Sequence, residues 1–232
     1  MKKLFILAIL TVLSISFLSA AEYDRILTEM NNLATANPSY IQMMDIGKND
    51  QSNTIYGIKL ENPNYTGSKS PYLVVGAHHG NERTSADLSL NFAKKVLAKF
   101  KDPASPEYKT LSDGIYYIVP VLNIGGFNAN RRYETNKNGS SIDPNRDYPD
   151  VCVNNKYFQL TSTQNLAYFI EKYGIVGAVT IHGYVGTFTY PWGFYTSDYK
   201  TLDNSTYNYL AKESVKANGY TIGTRSEEHT SE

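Results

Sequence analysis

The chain has 232 residues, of which 41% are hydrophobic, and its 22 basic side chains balance 22 acidic ones. A chain of this length can bury one sizeable core, so a single domain is expected. The balanced charge gives no electrostatic reason to expect nucleic acid or an acidic membrane surface as a partner.

The first 21 residues have the layout of a secretory signal peptide. Lys2 and Lys3 precede an apolar stretch that starts at Leu4, and small residues follow up to Ala21. This stretch is short for a membrane-spanning helix, and no later segment is apolar enough to span. We therefore expect residues 1–21 to be removed and the protein to be secreted, either extracellular or periplasmic, without stable membrane association. An uncleaved anchor is the alternative.

Helical and strand patterns alternate from residue 22 onward. The apolar spacing predicts helices over 23–38, 85–100, 161–174 and 204–219, and strands over 54–60, 71–77, 114–123 and 175–183. Such alternation predicts one α/β domain in which helices cover both faces of a mixed, mostly parallel twisted sheet. The expected architecture is a three-layer α/β/α fold. A single cysteine, Cys152, excludes an intrachain disulfide, so the core must stabilise this fold.

Polar side chains follow two of the predicted buried strands. The stretch "GAHHGNERTS" (76–85) places His79 and Glu82 after one strand, and "IHGY" (181–184) places His182 after another. Binding groups gather at the carboxyl ends of strands in such sheets. Two imidazoles and one carboxylate leave a coordination position open for water, as in catalytic zinc sites. The alternative is that each histidine is a hydrogen-bonded structural group, and we expect this of His78.

Between these stretches lies a loop-rich segment, residues 123–149, that contains several arginines. Arg131 and Arg132 are adjacent, and Asn145 directly precedes Arg146. The guanidinium fork suits a carboxylate in two-point contact, and a neighbouring amide can fill the remaining lone pairs. An arginine near a metal could instead stabilise oxygen charge that develops during hydrolysis. The alternative is that these arginines are solvated loop cations.

With these motifs, the chain resembles the zinc carboxypeptidase family over nearly all of its mature part. "HGNE" fits the His-x-x-Glu ligand pair, "IDPNRDYP" fits the Asn-Arg element, and "VTIHGYVGTFTYPWG" fits the strand of the third ligand. The resemblance implies a mixed eight-stranded sheet and one catalytic Zn²⁺. It also implies cleavage of the C-terminal residue from a peptide substrate that has a free terminal carboxylate. A monomer is expected.

The resemblance also implies residue roles. The implied zinc ligands are His79, Glu82 and His182. Asn145 and Arg146 would hold the substrate's terminal carboxylate, and Arg131 is a further candidate for substrate binding. Arg132 would polarise the scissile carbonyl, because "RYETNKNG" resembles the family's stretch at that position, and Arg131 is the alternative.

The end of the chain departs from the family pattern. The family's general-base glutamate lies far beyond the third ligand, on a strand that follows a tyrosine loop. The final stretch "RSEEHTSE" is what one reading frame of a common sequencing adapter encodes, so residues 225–232 are expected to be foreign to the gene. We expect an incomplete catalytic domain over 22–224, without the last strands or the general base. The printed chain is therefore expected to show little or no hydrolysis.

Two further departures leave other functions open. Asn81 stands where digestive members have a substrate-binding arginine, and "NIGG" (123–126) replaces Asn-Pro-Asp-Gly. One alternative is a zinc amidase or peptidase that acts on cell-wall peptides or N-acyl amino acids. Another is a non-catalytic binding relative that keeps the fold.

Overall fold

The structure is a computed structural model that describes residues 22–149, 156–183, 186–192 and 200–224. Its chain forms two compact units. The first contains the described residues up to Tyr148 together with Phe158–Gly183, and the second contains the others. The predicted signal peptide and the predicted adapter-derived tail lie outside the described residues.

The first unit contains most of the helices and strands. In chain order they are α1 (22–36), β1 (Ile41–Lys48), β2 (Thr54–Glu61), β3 (Ser70–Val75), α2 (Thr84–Phe100), α3 (Tyr108–Ser112), β4 (Gly114–Val119), α4 (Ile124–Ala129), β5 (Glu134–Thr135), β6 (Ser141–Ile142), a 3₁₀ helix (Pro144–Arg146), α5 (Thr161–Lys172) and β7 (Gly177–Thr180).

Five of these strands form one mixed sheet in the order β1-β2-β4-β3-β7. β2 pairs antiparallel with β1 and β4, while β3 pairs parallel with β4 and β7. Leu73, Val74 and Val75 are buried in succession on β3. Because successive strand residues point to opposite faces, both faces of the sheet are covered at β3. Residues 178–180 of β7 are exposed, so the prediction of a buried strand there is wrong. The predicted three-layer α/β/α architecture fits this arrangement.

β7 ends at Thr180 rather than at residue 183, and two further strands also end earlier than predicted. β3 ends at Val75 because Ala77 has a φ of 41° and donates its N–H to the Ser85 hydroxyl. β4 ends at Val119, four residues before the predicted end at 123. Asn123 instead caps α4, since its side-chain oxygen accepts the Gly126 N–H at 2.7 Å. Both corrections place polar loops at the carboxyl edge of the sheet.

The second unit contains a small βαβ arrangement. Its elements are β8 (Thr187–Thr189), α6 (Asn204–Val215) and β9 (Thr221–Gly223), and the two strands pair in parallel. The rings of Tyr190 and Tyr207 stack with centroids 5.8 Å apart. The last predicted helix ends at Val215 rather than at residue 219. Within the described residues of the whole chain, no helix has the length and hydrophobicity to cross a membrane.

A buried carboxylate anchors the start of α5. Asp147 accepts the backbone N–H groups of Gln159 and Leu160 at 2.8 and 2.9 Å and the Thr163 hydroxyl at 2.6 Å. A negative charge is favourable near a helix N-terminus, where backbone N–H groups lack partners within the helix. This contact holds the segment after the 3₁₀ helix against α5.

A second carboxyl group, that of Glu134, is fully buried beside the same helix end. It accepts hydrogen bonds from the Asn49 amide and the Ser162 hydroxyl. Burial raises its pKa to about 7, although both hydrogen bonds act in the opposite direction, and the charges of Asp50 and Asp147 raise it further. Folding therefore makes this carboxyl group harder to ionise.

Replacing Glu134 by glutamine should change how stability depends on pH. An unfolded glutamate has a pKa of about 4.3, so the native state binds the extra proton between that value and about 7. Protonation of Glu134 thus favours the native state. This contribution to the free energy of unfolding is present in full below the pKa of the unfolded state and is lost as pH rises through the pKa of the folded state. Relative to Glu134→Gln, the free energy of unfolding of the original protein should fall by on the order of 2 kcal/mol between about pH 5 and 8.

Urea unfolding at several pH values in this range measures the effect. Glu171→Gln, on an exposed position of α5, controls for the loss of one carboxylate. Parallel stability curves for the original protein and Glu134→Gln would show the assignment to be wrong.

Candidate metal centre

The three predicted ligands lie together in the first unit. Their candidate ligand atoms all lie within 4.8 Å of one another. His79 Nδ1 is 2.8 Å from one oxygen of Glu82, and His182 Nδ1 is 3.0 Å from the other. The two Nδ1 atoms are 3.3 Å apart. Side chains that are distant in the sequence thus meet at one point.

This spacing suits a zinc ion. Imidazole nitrogens bind zinc at about 2.0–2.1 Å, and in a tetrahedral arrangement two such nitrogens lie roughly 3.3 Å apart. The measured Nδ1 to Nδ1 distance is 3.3 Å. Two imidazoles and a carboxylate are also the donor set of several catalytic zinc sites. The residues present therefore fit the ion that the sequence predicts.

The sheet explains why the ligands meet. His79 and Glu82 lie on the turn between β3 and α2, where the Glu82 N–H donates to the His79 carbonyl at 3.1 Å. His182 follows β7, which pairs in parallel with β3, so both strands end at the same edge. The Gly183 N–H donates to Glu82 at 2.9 Å and holds its carboxylate in place.

Gly80 allows this turn to lie directly against α4. A Cβ added at this position would lie 2.0 Å from the carbonyl carbon of Gly126 and 2.2 Å from the nitrogen of Phe127. Both contacts are to backbone atoms, which cannot rotate away as a side chain can. A residue without a side chain is therefore required between the two candidate ligands of this turn.

Asp143 orients the ring of His79 through its Nε2 atom, on the side away from Glu82. Its Oδ1 lies 3.1 Å from His79 Nε2, and its Oδ2 accepts a hydrogen bond from Arg132 Nε at 2.8 Å. A carboxylate on the distal nitrogen of a ligating histidine fixes its tautomer and ring orientation. In this arrangement Nδ1 of His79 faces Glu82, with its lone pair available for a metal. Sequence reasoning did not select Asp143, although it lies only two residues before Asn145.

The electrostatics of the cluster favour a cation. Burial opposes ionisation of Glu82, but His182, His79 and the Gly183 N–H hold its pKa at about 2. Burial likewise opposes the charged form of His79, yet hydrogen bonds to Asp143 and Glu82 keep its pKa above the ordinary value. The pKa of Asp143 is lowered despite burial, chiefly by its hydrogen bond to His79. Two ionised carboxylates thus share a largely buried site with two imidazoles.

The side chains of the two adjacent arginines lie in different surroundings. Arg132 contacts Asp143, next to the ligand cluster. Arg131 lines a separate open groove together with Tyr133 and Lys137. Burial alternates along residues 131–134: Arg131 and Tyr133 are exposed, Arg132 is half-buried, and Glu134 is buried. The geometry therefore favours Arg132 as the arginine near the metal.

Asn145 and Arg146 lie on the 3₁₀ helix that follows Asp143. The Asn145 N–H donates to Asp143 Oδ1 at 2.8 Å, which links this helix to the ligand cluster. Arg146 is exposed, and its Nη1 donates to the carbonyl oxygen of Asn145 at 3.1 Å. The predicted carboxylate-binding pair is thus connected through Asp143 to His79 and to Arg132.

Asn123 supports the site without having been predicted to do so. Its amide Nδ2 donates to the carbonyl of His78 at 3.2 Å and to that of Arg132 at 3.0 Å. One buried side chain therefore joins the turn of the ligands to the arginine segment. The available signal was an asparagine at the end of a predicted strand, at a position suited to a helix cap.

His78 is not a member of the ligand group, in agreement with the sequence expectation. It is buried, and its Nε2 is hydrogen-bonded to the Tyr148 hydroxyl at 2.9 Å. Burial, with smaller contributions from the charges of His182 and His79, lowers its pKa to about 3. His78 therefore stays neutral beside the cluster.

The family profile described as zinc carboxypeptidase matches residues 26–232. The chain belongs to the zinc carboxypeptidase family. This family is one of zinc-dependent hydrolases, and the His-Glu-His cluster is the group of described residues that could hold the metal. The matched range includes 225–232, so the foreign origin of that stretch stays a prediction.

Curated relatives of this carboxypeptidase family member are distant in sequence. The carboxypeptidase N catalytic chain of Rattus norvegicus is 24% identical over 164 residues, which cover 66% of this chain and 33% of that protein. Zinc carboxypeptidase A 1 of Anopheles gambiae is 22% identical over 222 residues, which cover 84% of this chain and 49% of that protein. The chain thus spans a third to a half of the length of these relatives.

Solved structures confirm the fold. Thrombin activatable fibrinolysis inhibitor matches with a TM-score of 0.77 and 18% identity, over 88% of this chain and 58% of that one. Carboxypeptidase A from Helicoverpa armigera matches with a TM-score of 0.67 and 15% identity, over 81% of this chain and 51% of that one. The three-layer α/β/α prediction is therefore confirmed as a carboxypeptidase fold.

Asp143→Asn should weaken zinc binding by this chain about 10- to 100-fold, because the amide cannot hold His79 as a carboxylate does. Competition with a chelator of known affinity measures the dissociation constant. Asp102→Asn, at an exposed position, is the matched control and should bind zinc like the original. Equal affinity in Asp143→Asn, with the fold intact by circular dichroism, would contradict this role.

Proposed function

We propose that this protein is a zinc-dependent metallocarboxypeptidase that hydrolyses the C-terminal peptide bond of peptides. One observation carries the proposal: His79 Nδ1 and His182 Nδ1 lie 3.3 Å apart, and each contacts one oxygen of Glu82. A zinc ion bound by such a set supplies a water of lowered pKa and a Lewis acid for the carbonyl oxygen. Membership of the family supports the same chemistry.

The proposed role of Arg132 is to polarise the scissile carbonyl and to stabilise the oxygen charge that develops on it. Its Nε donates to Asp143, and Asp143 also contacts His79, so the arginine is held in a fixed relation to a ligand. Donors that are already oriented need little reorganisation as charge develops.

The proposed role of Asn145 and Arg146 is to bind the terminal carboxylate of the substrate. Arg146 is exposed, so its guanidinium can be reached from solvent, and it suits two-point contact with a carboxylate. Asn145 is half-buried and tied to Asp143 through its N–H. We assign no residue of this chain as the general base.

Export is a further part of the proposal. The layout of residues 1–21 supports a cleaved signal peptide and a secreted protein, extracellular or periplasmic. The proposed partner is a peptide with a free C-terminal carboxylate, and the balanced net charge argues against nucleic acid. A monomer without stable membrane association is proposed.

The deciding assay uses the zinc-loaded product of the intact gene. Peptides with free C-termini should lose their last residue, as followed by mass spectrometry, and C-terminally amidated copies should not. A chelator should abolish the release, and zinc should restore it. Cleavage only of cell-wall peptides or N-acyl amino acids would replace the proposal by the amidase alternative. Zinc uptake without any hydrolysis would favour a binding relative.

Arg146→Ala should raise KM for a peptide with a free C-terminus by about 10- to 100-fold, because a charged hydrogen-bonding partner of the carboxylate is lost. Steady-state kinetics measures the change, and Arg146→Lys should recover only part of it, since an ammonium lacks the planar fork. Arg131→Ala is the matched control, because Arg131 lines a separate groove. A larger rise of KM in Arg131→Ala than in Arg146→Ala would assign the carboxylate contact to Arg131 instead of Arg146.

Arg132→Ala should act on kcat rather than on KM. Loss of one preorganised donor at a developing oxygen charge lowers kcat by about 100- to 1,000-fold. Zinc content, measured on the same samples, should stay at that of the original protein. An unchanged kcat in the zinc-loaded variant would remove Arg132 from the mechanism.

A further inference from the structure

Two adjacent histidines hold the two ends of one short segment. His79 Nε2 lies 3.1 Å from Asp143 Oδ1, at the start of residues 143–148. His78 Nε2 is hydrogen-bonded to the Tyr148 hydroxyl at 2.9 Å, at the end of the same segment. The proposed carboxylate-binding pair lies between these two contacts. The segment is therefore attached at both ends to the turn that carries the first metal ligand.

His78 also contacts the third candidate ligand. Its ring centroid lies 5.7 Å from that of His182 with an interplanar angle of 30°, and 5.9 Å from that of Tyr148. A fully buried imidazole thus packs against a metal ligand on one side and against residues 143–148 on the other. Its second nitrogen, Nδ1, is buried and has no hydrogen-bond partner among the described residues.

Asp147 attaches this segment to a different element, helix α5. Asp147 is bonded to the start of α5 through two backbone N–H groups and the Thr163 hydroxyl. That anchor determines where the segment lies on α5, but it does not join the segment to the ligand turn. The Tyr148 hydroxyl makes that second connection, and a phenylalanine ring at this position would pack similarly but could not bond to His78.

We propose that the His78–Tyr148 hydrogen bond sets the position of Asn145 and Arg146 relative to the metal ligands. His78 and Tyr148 are then positioning residues for recognition of the substrate's terminal carboxylate. The inference rests on the proposed function, because it takes Asn145 and Arg146 as the carboxylate-binding pair. It adds a buried histidine and a half-buried tyrosine that contact neither the substrate nor the metal.

The test compares binding of N-benzoylglycine, which has a free carboxylate, with binding of its amide to the zinc-loaded chain by titration calorimetry. Tyr148→Phe should weaken binding of the carboxylate about 3- to 10-fold, the effect of losing one buried hydrogen bond. Binding of the amide and the affinity for zinc should both stay within about 2-fold of the original, since the ring contacts remain.

Variants of His78 test the same bond from its other end. His78→Leu should weaken carboxylate binding like Tyr148→Phe, and His78→Gln, which keeps a hydrogen-bonding group, should recover it. The double variant His78→Leu/Tyr148→Phe should bind the carboxylate no more weakly than either single variant, because both substitutions remove the same bond. If His78→Leu fails to fold, Tyr148→Phe and His78→Gln still decide the question.

Two controls separate the inference from the proposed function. Tyr116→Phe removes another largely buried tyrosine hydroxyl bond, that to the Leu111 carbonyl, and should leave carboxylate binding unchanged. Arg146→Ala reports on the proposed function, and unchanged carboxylate binding in that variant would overturn the function and the inference together. Weaker binding in Arg146→Ala but not in Tyr148→Phe would overturn only the inference.

Discussion

The structure depends on one electrostatic constraint, the meeting of two imidazole nitrogens and a carboxylate in a space from which water is largely excluded. Groups that all offer lone pairs at this separation repel one another unless a cation or a shared proton lies among them. His79 Nδ1 and His182 Nδ1 are 3.3 Å apart, and each contacts Glu82. The parallel pairing of β3 with β7 makes this meeting possible, because it brings two strand ends to one edge.

The groups around the ligands limit how this constraint can be relieved. Asp143 contacts Nε2, the distal nitrogen of His79. The imidazole ring therefore cannot turn Nε2 towards Glu82. Asn123 joins the ligand turn to the arginine segment through two carbonyl groups. With these movements restricted, a shared proton or a bound divalent ion offsets the repulsion, and the residue types suit zinc. Family membership and the local physics thus lead to the same chemistry by independent routes.

The candidate ligands could be predicted from sequence because the signal was local. His79 and Glu82 follow the buried strand β3, His182 follows the apolar stretch of β7, and the residue types suit zinc. Strand β1, in contrast, has the sequence "IQMMDIGK", which shows no regular alternation and is interrupted by an irregular pairing between Asp45 and Gly47. Its place in the sheet comes from pairing with β2, which a local pattern does not report.

The preference for Arg132 over Arg131 came from the resemblance to the family and not from the local residue pattern. Adjacent residues of an extended segment point in opposite directions, but the pattern does not say which direction faces the metal. That answer depends on Glu134, whose burial against Asn49 and Ser162 sets the inner side of the segment. The supporting contacts of Asp143 and Tyr148 are likewise tertiary, since each joins residues more than sixty positions apart.

The close approach of Gly80 to Gly126 and Phe127 has a practical consequence for control of the protein. Because two stretches of main chain touch there without intervening side chains, there is no soft layer to absorb a displacement of α4. A displacement of α4 would therefore be passed directly to the turn that carries His79 and Glu82. The geometry of the candidate ligands is thus tied to a helix that supplies none of them.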